Sequence, residues 1–175
     1  MKLAVLRLFV IAAISAAPLA AAAARFEGVV THVTDGDSVW VRPADGAAPR
    51  EIRINGIDAP EICQAFGNEA RDALSRRVLH RRVVVVIHGE DDYHRTIARI
   101  SLGHEDVGAW MVKSGYAWSY RFRGNPGPYR HFEARARTAH RGLWAAEGRP
   151  EVPRDFRVRH GSCRPALSAL PSTHG

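Results

Sequence analysis

The stretch Arg53-Ile54-Asn55-Gly56-Ile57-Asp58-Ala59-Pro60-Glu61 ends an apolar strand in an acid-bearing corner. Pro60 stops further ladder pairing and biases Ala59 toward extended backbone, which leaves Asp58 and Glu61 projecting from a stiff turn beside the cation of Arg53. Two more acids fall in Asp35-Gly36-Asp37, between two β-branched runs, and a second arginine, Arg95, closes the polar turn Asp92-Tyr93-His94-Arg95. Hydrolysis of a phosphodiester needs charge neutralised on the transition state, a polarised phosphoryl oxygen and an activated water. Asp37, Asp58, Glu61, Arg53 and Arg95 supply one set of groups for those three tasks. Aspartate oxygens are hard ligands suited to Ca²⁺ or Mg²⁺, whereas the chain has no Cys/His cluster or H-E-x-x-H run that would favour zinc. For the corner taken alone, a surface turn with a local ion pair is the competing account.

These groups must be carried by elements that the hydrophobic pattern defines. Phe26–Val33 and Ser38–Arg42 alternate apolar and polar residues on either side of the Asp35-Gly36-Asp37 turn and predict a hairpin. Glu51–Asn55 makes a third strand, after a loop rich in Ala, Asp and Gly. From Gln64 to Leu79 the period changes to that of an amphipathic helix, with Phe66, Ala70, Ala73, Leu74 and Val78 on one side. Val83-Val84-Val85-Val86-Ile87 is too short and too branched for a helix and predicts a strand buried on both faces, with Thr96–Leu102 as its partner. Glu105–Gly115 and Tyr129–His140 predict two further helices. The fold expected is therefore α+β: a five-stranded barrel of the oligonucleotide-binding type with about three α-helices. Between the last two helices, Tyr116-Ala117-Trp118-Ser119-Tyr120-Arg121-Phe122-Arg123 interleaves aromatics with cations, a pattern that serves base stacking and phosphate pairing as well as it serves core and rim positions of a strand.

The ends of the chain bear on where it works. A basic start, an apolar run from Leu8 through Ala17 and an alanine tract ending at Ala24 predict a signal peptide over residues 1–24, followed by one domain over 25–148 and a Pro/Arg-rich tail over 149–175. Arg7 and Pro18 make that segment a poor permanent membrane span, so the mature protein is expected to be exported, periplasmic or secreted, with no membrane attachment. The chain has 25 Lys and Arg against 18 Asp and Glu. Without Lys2 and Arg7 the net charge falls from +7 to +5, which suits a polyanionic partner and also serves plain solubility. The two cysteines, Cys63 and Cys163, are an even pair in an oxidising setting and so candidates for one disulfide, with free or intermolecularly paired thiols as the other outcome.

Taken together, Val33-Thr34-Asp35-Gly36-Asp37-Ser38, Ile52-Arg53 through Asp58-Ala59-Pro60-Glu61, and Asp92-Tyr93-His94-Arg95 resemble the staphylococcal nuclease, or thermonuclease, family, in order from about Phe26 to Trp144. The resemblance implies a calcium-dependent nuclease, a hydrolase of DNA and RNA phosphodiesters that cuts endonucleolytically and leaves 3′-phosphate ends. It implies that Asp37 and Asp58 are metal carboxylates with the Ala59 carbonyl as a backbone ligand, and that Asp35 lies just behind the metal. Glu61 matches the general base, Arg53 and Arg95 the arginines on the scissile phosphate, and Tyr93 a tyrosine on a substrate phosphate. Tyr120 and Phe122 are candidates for base stacking, with Tyr116 and Trp118 expected in the core. The chain departs from the family pattern at His94, where glycine is usual, and at Ala59, where the best-known members have threonine. A catalytically inactive nucleic-acid-binding module on the same barrel is the alternative, although such a module would be expected to lose some of the five charged groups that are all present here. Charge alone supports a third possibility, an exported barrel that binds an acidic glycan or a protein. A small barrel with one free face needs no second copy, so a monomer is expected.

Overall fold

The computed structural model describes residues 24–121, 124–161 and 163. The leader expected over 1–24 lies almost wholly outside them, as do Phe122 and most of the tail after Gly161. Among the described residues no helix is long and apolar enough to cross a membrane.

Strand β1 (Arg25–Asp35) turns through Gly36 and Asp37 into β2 (Ser38–Pro43), and β3 (Arg50–Ile54) continues the antiparallel meander. After the two-residue β4 (Ile57–Asp58) the chain forms helix α1 (Gly67–Val78), then β5 (Arg82–Glu90) and β6 (Thr96–Leu102). Strand β5 pairs antiparallel with both β1 and β6, and β6 pairs in parallel with β3, matching Ile52 with Thr96 and Arg53 with Ile97. That parallel pairing closes five strands, in the order β3-β2-β1-β5-β6, into a barrel. Register shifts in β1 at Val30/His32 and Val33/Asp35, and in β5 at Ile87/Gly89, supply the local bends by which a sheet curls shut.

Val30, Val39, Val41, Ile52, Ile54, Val83, Val85, Ala98 and Ile100 fill the interior, each at most 1% exposed. The valine run of β5 differs from expectation. Val83 and Val85 are buried, but Val84, Val86 and Ile87 are only half-buried, because a closed barrel has a single inner face. Helix α1 buries Ala70, Ala73, Leu74 and Val78 and lies against β1.

Beyond the barrel, β7 (Glu105–Asp106) pairs with the end of β6. Asp106 then caps α2 (Val107–Lys113), its side chain accepting from the Ala109 N–H at 3.1 Å, so this helix begins two residues later than its apolar spacing predicts. Strand β8 (Trp118–Ser119) pairs with β4, and α3 (Arg130–Thr138) packs on α2. Glu133 of α3 is 3% exposed and accepts from the Ser119 N–H at 2.8 Å, Arg121 at 2.9 Å and Arg137 at 2.6 Å, which fixes the helix to β8. Trp118 lies edge-on to Trp144 in a small second core with Ala136 and Leu143. A fourth helix, α4 (Pro153–His160), stands in the stretch that composition marks as tail.

Candidate active site

The β1–β2 turn and the β3–β4 corner meet at one end of the barrel. Register pairs Ser38 with Arg53, and the Ile54 N–H donates to the Asp37 carbonyl at 2.8 Å, so Asp37 and the corner are held by backbone as well as by side chains. The Arg53 guanidinium lies between two buried carboxylates. Its Nη1 donates to Asp37 Oδ1, and its Nη2 donates to Asp58 Oδ1 at 3.1 Å. Asp37 also accepts from the Ala59 N–H at 2.8 Å and from the Ser38 hydroxyl at 3.1 Å. Gly36 allows this closeness, since a Cβ there would lie 2.7 Å from the Ala59 Cβ and 2.9 Å from the Ala70 Cβ.

The two aspartates are only 3% and 4% exposed, yet their electrostatics diverge. Burial alone would push Asp37 upward, but Arg53, the Ala59 N–H and the bonds from Asp35 and Ser38 outweigh it and hold its carboxyl below the usual carboxylate range. Asp58 goes the other way, since burial and then the adjacent Asp37 charge raise it by more than Arg157 and Arg53 lower it. Asp35, half-buried in the turn, accepts from the Asp37 N–H at 3.0 Å; burial, and then the Asp37 charge, push its carboxyl up to about 7. Arg53 is raised despite burial because Asp37 and Asp58 both favour its charged form.

Glu61 stands three residues beyond Asp58 on the same corner. Its N–H donates to Gln64 Oε1 at 3.2 Å, and its Oε1 accepts from Arg157 Nη1 at 2.7 Å. Arg157 also reaches Asp58, Nη1 to Oδ1 at 3.2 Å and Nη2 to Oδ2 at 3.4 Å. It comes from α4, and the sequence reading gave it no place in the site. Arg95 is placed differently from Arg53. It begins the approach to β6, but its ion pair is with Asp91 in its own turn, Nε to Oδ2 at 2.8 Å and Nη2 to Oδ2 at 2.7 Å, and its side chain lies over the Tyr93 ring at 5.4 Å. Asp91 also accepts from the backbone N–H groups of Tyr93 and Arg95; burial alone would raise it, but the Arg95 side chain and these backbone bonds together outweigh burial and hold it below the usual range. His94 takes the left-handed backbone, φ +60°, that glycine adopts without strain, so the turn keeps a glycine-like course without a glycine.

Of the aromatic candidates, Tyr93 is 79% exposed and Tyr120 42% exposed. The Tyr120 N–H donates to the Gly56 carbonyl at 2.9 Å, next to the pairing of Asp58 with Trp118, which puts the Tyr120 backbone beside the strand that carries the acidic corner. Phe122 falls outside the described residues. Trp118 is buried, and Tyr116 packs partly buried between Phe66 and Trp110. Cys63 and Cys163 form a disulfide with Cα atoms 5.8 Å apart, a bond that oxidising compartments sustain.

The acids in this corner offer only hard oxygen donors. Among the described residues no three His, Cys, Asp or Glu side chains gather closely enough to hold a metal unaided. Two carboxylates with a neighbouring backbone carbonyl fit an oxygen-seeking divalent ion that takes its remaining ligands from water and substrate, as catalytic sites do.

Comparison with known sequences places this barrel, with its carboxylates and arginines at one end, in a family. Residues 51–146 match the family described as "Staphylococcal nuclease homologue". The "Protein ParB" of Escherichia coli is 37% identical over 134 residues, covering 70% of this chain and 74% of that protein. An "Uncharacterized endonuclease" of Haemophilus influenzae is 32% identical over 128 residues, covering 73% and 71%. The "Probable staphylococcal-like nuclease CAN2" of Oryza sativa subsp. japonica is 35% identical over 106 residues, 61% of this chain, and the match spans only 28% of that longer protein. This chain belongs to the staphylococcal nuclease family.

Proposed function

We propose that the protein is an exported, calcium-dependent endonuclease that hydrolyses DNA and RNA and leaves 3′-phosphate ends, acting as a monomer. The observation that carries this reading is the Arg53 guanidinium bridging buried Asp37 and Asp58, with Glu61 on the same stiff corner. The names of the relatives, nucleases and endonucleases, and the family's general use of Ca²⁺ support it. The disulfide is consistent with export. Residues 25–148 form the nuclease domain in this reading, after a cleaved leader and before a Pro/Arg-rich tail.

Asp37 and Asp58 would hold the ion, with the Ala59 carbonyl beside them, and Asp35 behind Asp37 adjusts the charge of the pair. When bound, the ion polarises a phosphoryl oxygen and neutralises charge that builds on it. Arg53 holds the carboxylates apart and in place, and its planar fork offers donors to a phosphate that lysine cannot match bidentately. Arg95, steadied by Asp91 and Tyr93, supplies a second guanidinium from the neighbouring strand, and exchanges its carboxylate partner for a phosphate oxygen. Glu61 takes the proton of the attacking water, which requires that its carboxylate be free to reach that water. Tyr93 contacts a flanking phosphate, and the exposed Tyr120 ring, with Phe122, stacks a base.

The test is cleavage of single-stranded DNA by the mature protein with Ca²⁺ and with a chelator, alongside Glu61→Gln. Calcium-dependent cutting that the variant loses is the expected result. A protein that binds the strand but does not cut it with any divalent ion would be the inactive binding module instead.

A further inference from the structure

Helix α4 buries only Pro153 of its eight residues, and Val158 on it is 80% exposed. Packing of an apolar face therefore does not hold it. Its attachments are specific and lie around the acidic corner. Before the helix, the Glu151 carbonyl accepts from Gln64 Nε2 at 2.7 Å, and Gln64 is the residue whose other amide atom holds the Glu61 N–H. After it, Cys163 is bonded to Cys63, two residues past Glu61, and the Cys63 N–H points at the Cys163 sulfur at 3.3 Å. Between these two anchors Arg157 reaches Asp58 and Glu61.

The effect on Asp58 is specific. Oδ1 accepts from both Arg53 and Arg157, and Oδ2 accepts from Arg157. Both oxygens of a carboxylate assigned to the metal are thus engaged by arginine, and Oε1 of Glu61 is engaged too. Asp37, Asp58 and Glu61 against Arg53 and Arg157 make one net negative charge, with Asp35 behind Asp37 adding to it when ionised. Withdrawing Arg157 adds one more negative charge, which favours a cation.

We propose that Arg157 is a built-in counter-cation of the site, which a divalent ion must displace from Asp58, and that the Cys63–Cys163 bond keeps it there. The inference rests on the assignment of Asp58 and Glu61 to the catalytic corner. Tethering at both ends gives the guanidinium a high effective concentration at the carboxylates. Cutting one tether lowers that concentration, and Cys63 is exposed to a reductant. Linkage requires the converse as well, so that calcium loosens α4 by the same factor by which Arg157 weakens calcium.

The experiment is calorimetric titration of the full oxidised mature chain with Ca²⁺, in wild type, Arg157→Gln and Arg159→Gln. Arg159 lies on the same helix but pairs with Glu151, so its variant removes the same charge without touching the corner. The expected result is Ca²⁺ affinity about tenfold tighter in Arg157→Gln, within the usual range of coupling between sites, and unchanged in Arg159→Gln. Wild type treated with reductant, and Cys63→Ser/Cys163→Ser, should move part of the way toward Arg157→Gln, with circular dichroism confirming that the barrel remains folded. Equal affinity in wild type and Arg157→Gln overturns the proposal, as does an equal gain in both arginine variants. A wild type that cuts DNA with Ca²⁺ while Arg157→Gln loses cutting with no change in affinity also overturns it, and makes Arg157 a phosphate grip. If neither form binds Ca²⁺, the proposal and the metal assignment fall together, whereas calcium-dependent cutting without an affinity change sinks the proposal alone.

Discussion

Arg53→Met keeps most of the volume of the side chain and removes the cation that joins Asp37 to Asp58. The arginine side chain is 17% exposed and its partners are 4% and 6% exposed, so water can do little to replace it. Removing one member of a buried ion pair costs about 3–5 kcal/mol, because a charge remains without compensation. Asp37 would keep the Ala59 N–H and the Ser38 hydroxyl, and Asp58 would keep Arg157, which puts the expected loss near the lower figure. A loss of about 3 kcal/mol in a domain of this size lowers the melting temperature by roughly 6–12 °C. Asp37→Asn added to Arg53→Met removes the charge that the first change stranded, so the double variant should be more stable than the sum of the singles predicts, by about 2 kcal/mol. Urea denaturation of the four proteins of this cycle, at pH 7 in a chelating buffer and followed by the fluorescence of buried Trp118 and Trp144, measures the coupling. Additivity within about 0.5 kcal/mol, or a single Arg53→Met variant as stable as wild type, would refute the claim that this guanidinium holds the two carboxylates together.

Arg53→Lys and Arg95→Lys keep the charge but lose the planar fork; Arg95→Lys should stay within about 1 kcal/mol of wild type in stability and Arg53→Lys should cost less than Arg53→Met, while both lose most nuclease activity, and near-normal turnover in either removes that arginine from the mechanism. Gly67→Ala should act on the corner from a distance, because its Cβ would overlap the Glu61 carbonyl oxygen and lie 3.0 Å from the Ile62 Cα. Backbone there must shift, with an expected stability loss of about 1–3 kcal/mol and a fall in activity of about a hundredfold, as for a ~1 Å displacement of a positioned group; unchanged activity in a folded variant would count against Glu61. Tyr129, 8% exposed, donates its hydroxyl to Asp106 Oδ2 at 2.8 Å, and burial together with that bond raises its ionisation above the ordinary tyrosine value of 10.0. A raised folded-state value means that the stabilisation is complete below pH 10 and is lost as pH rises above it. Tyr129→Phe should therefore cost about 1 kcal/mol at pH 8, with the gap to wild type closing between about pH 10 and 11; a gap that stays constant in urea melts across that range would refute the assignment.

The strands and the acidic corner are legible in the sequence because both obey short-range rules. Alternation of Val39 and Val41 with polar neighbours, the Asp35-Gly36-Asp37 turn and the proline after Ala59 each act within a few residues, and so they point to the hairpin and the corner where the structure has them. The closing of the barrel and the partners of the charged groups depend on residues far apart. Glu133 reads as one more charge on an amphipathic helix, and only the meeting of α3 with β8 makes it a buried acceptor for two arginines and a backbone N–H. Val83–Ile87 reads as buried on both faces because a run of branched residues does not reveal that its outer side is only partly covered. Helix α4 escaped for a different physical reason. Its sequence, Pro-Arg-Asp-Phe-Arg-Val-Arg-His, has no apolar stripe to detect, since disulfide and polar attachments hold it. The signal that could have revealed it is electrostatic: Pro153 at the first turn, Asp155 near the positive end of the helix dipole, and Arg157, Arg159 and His160 near the negative end. The cysteines carried the other half of the information, because linking position 63 to position 163 brings the residues just before Cys163 back to the neighbourhood of Glu61. A charged helix with no apolar face, bonded beside an acidic corner, is a segment whose side chains act on that corner, and Arg157 is the one that reaches it.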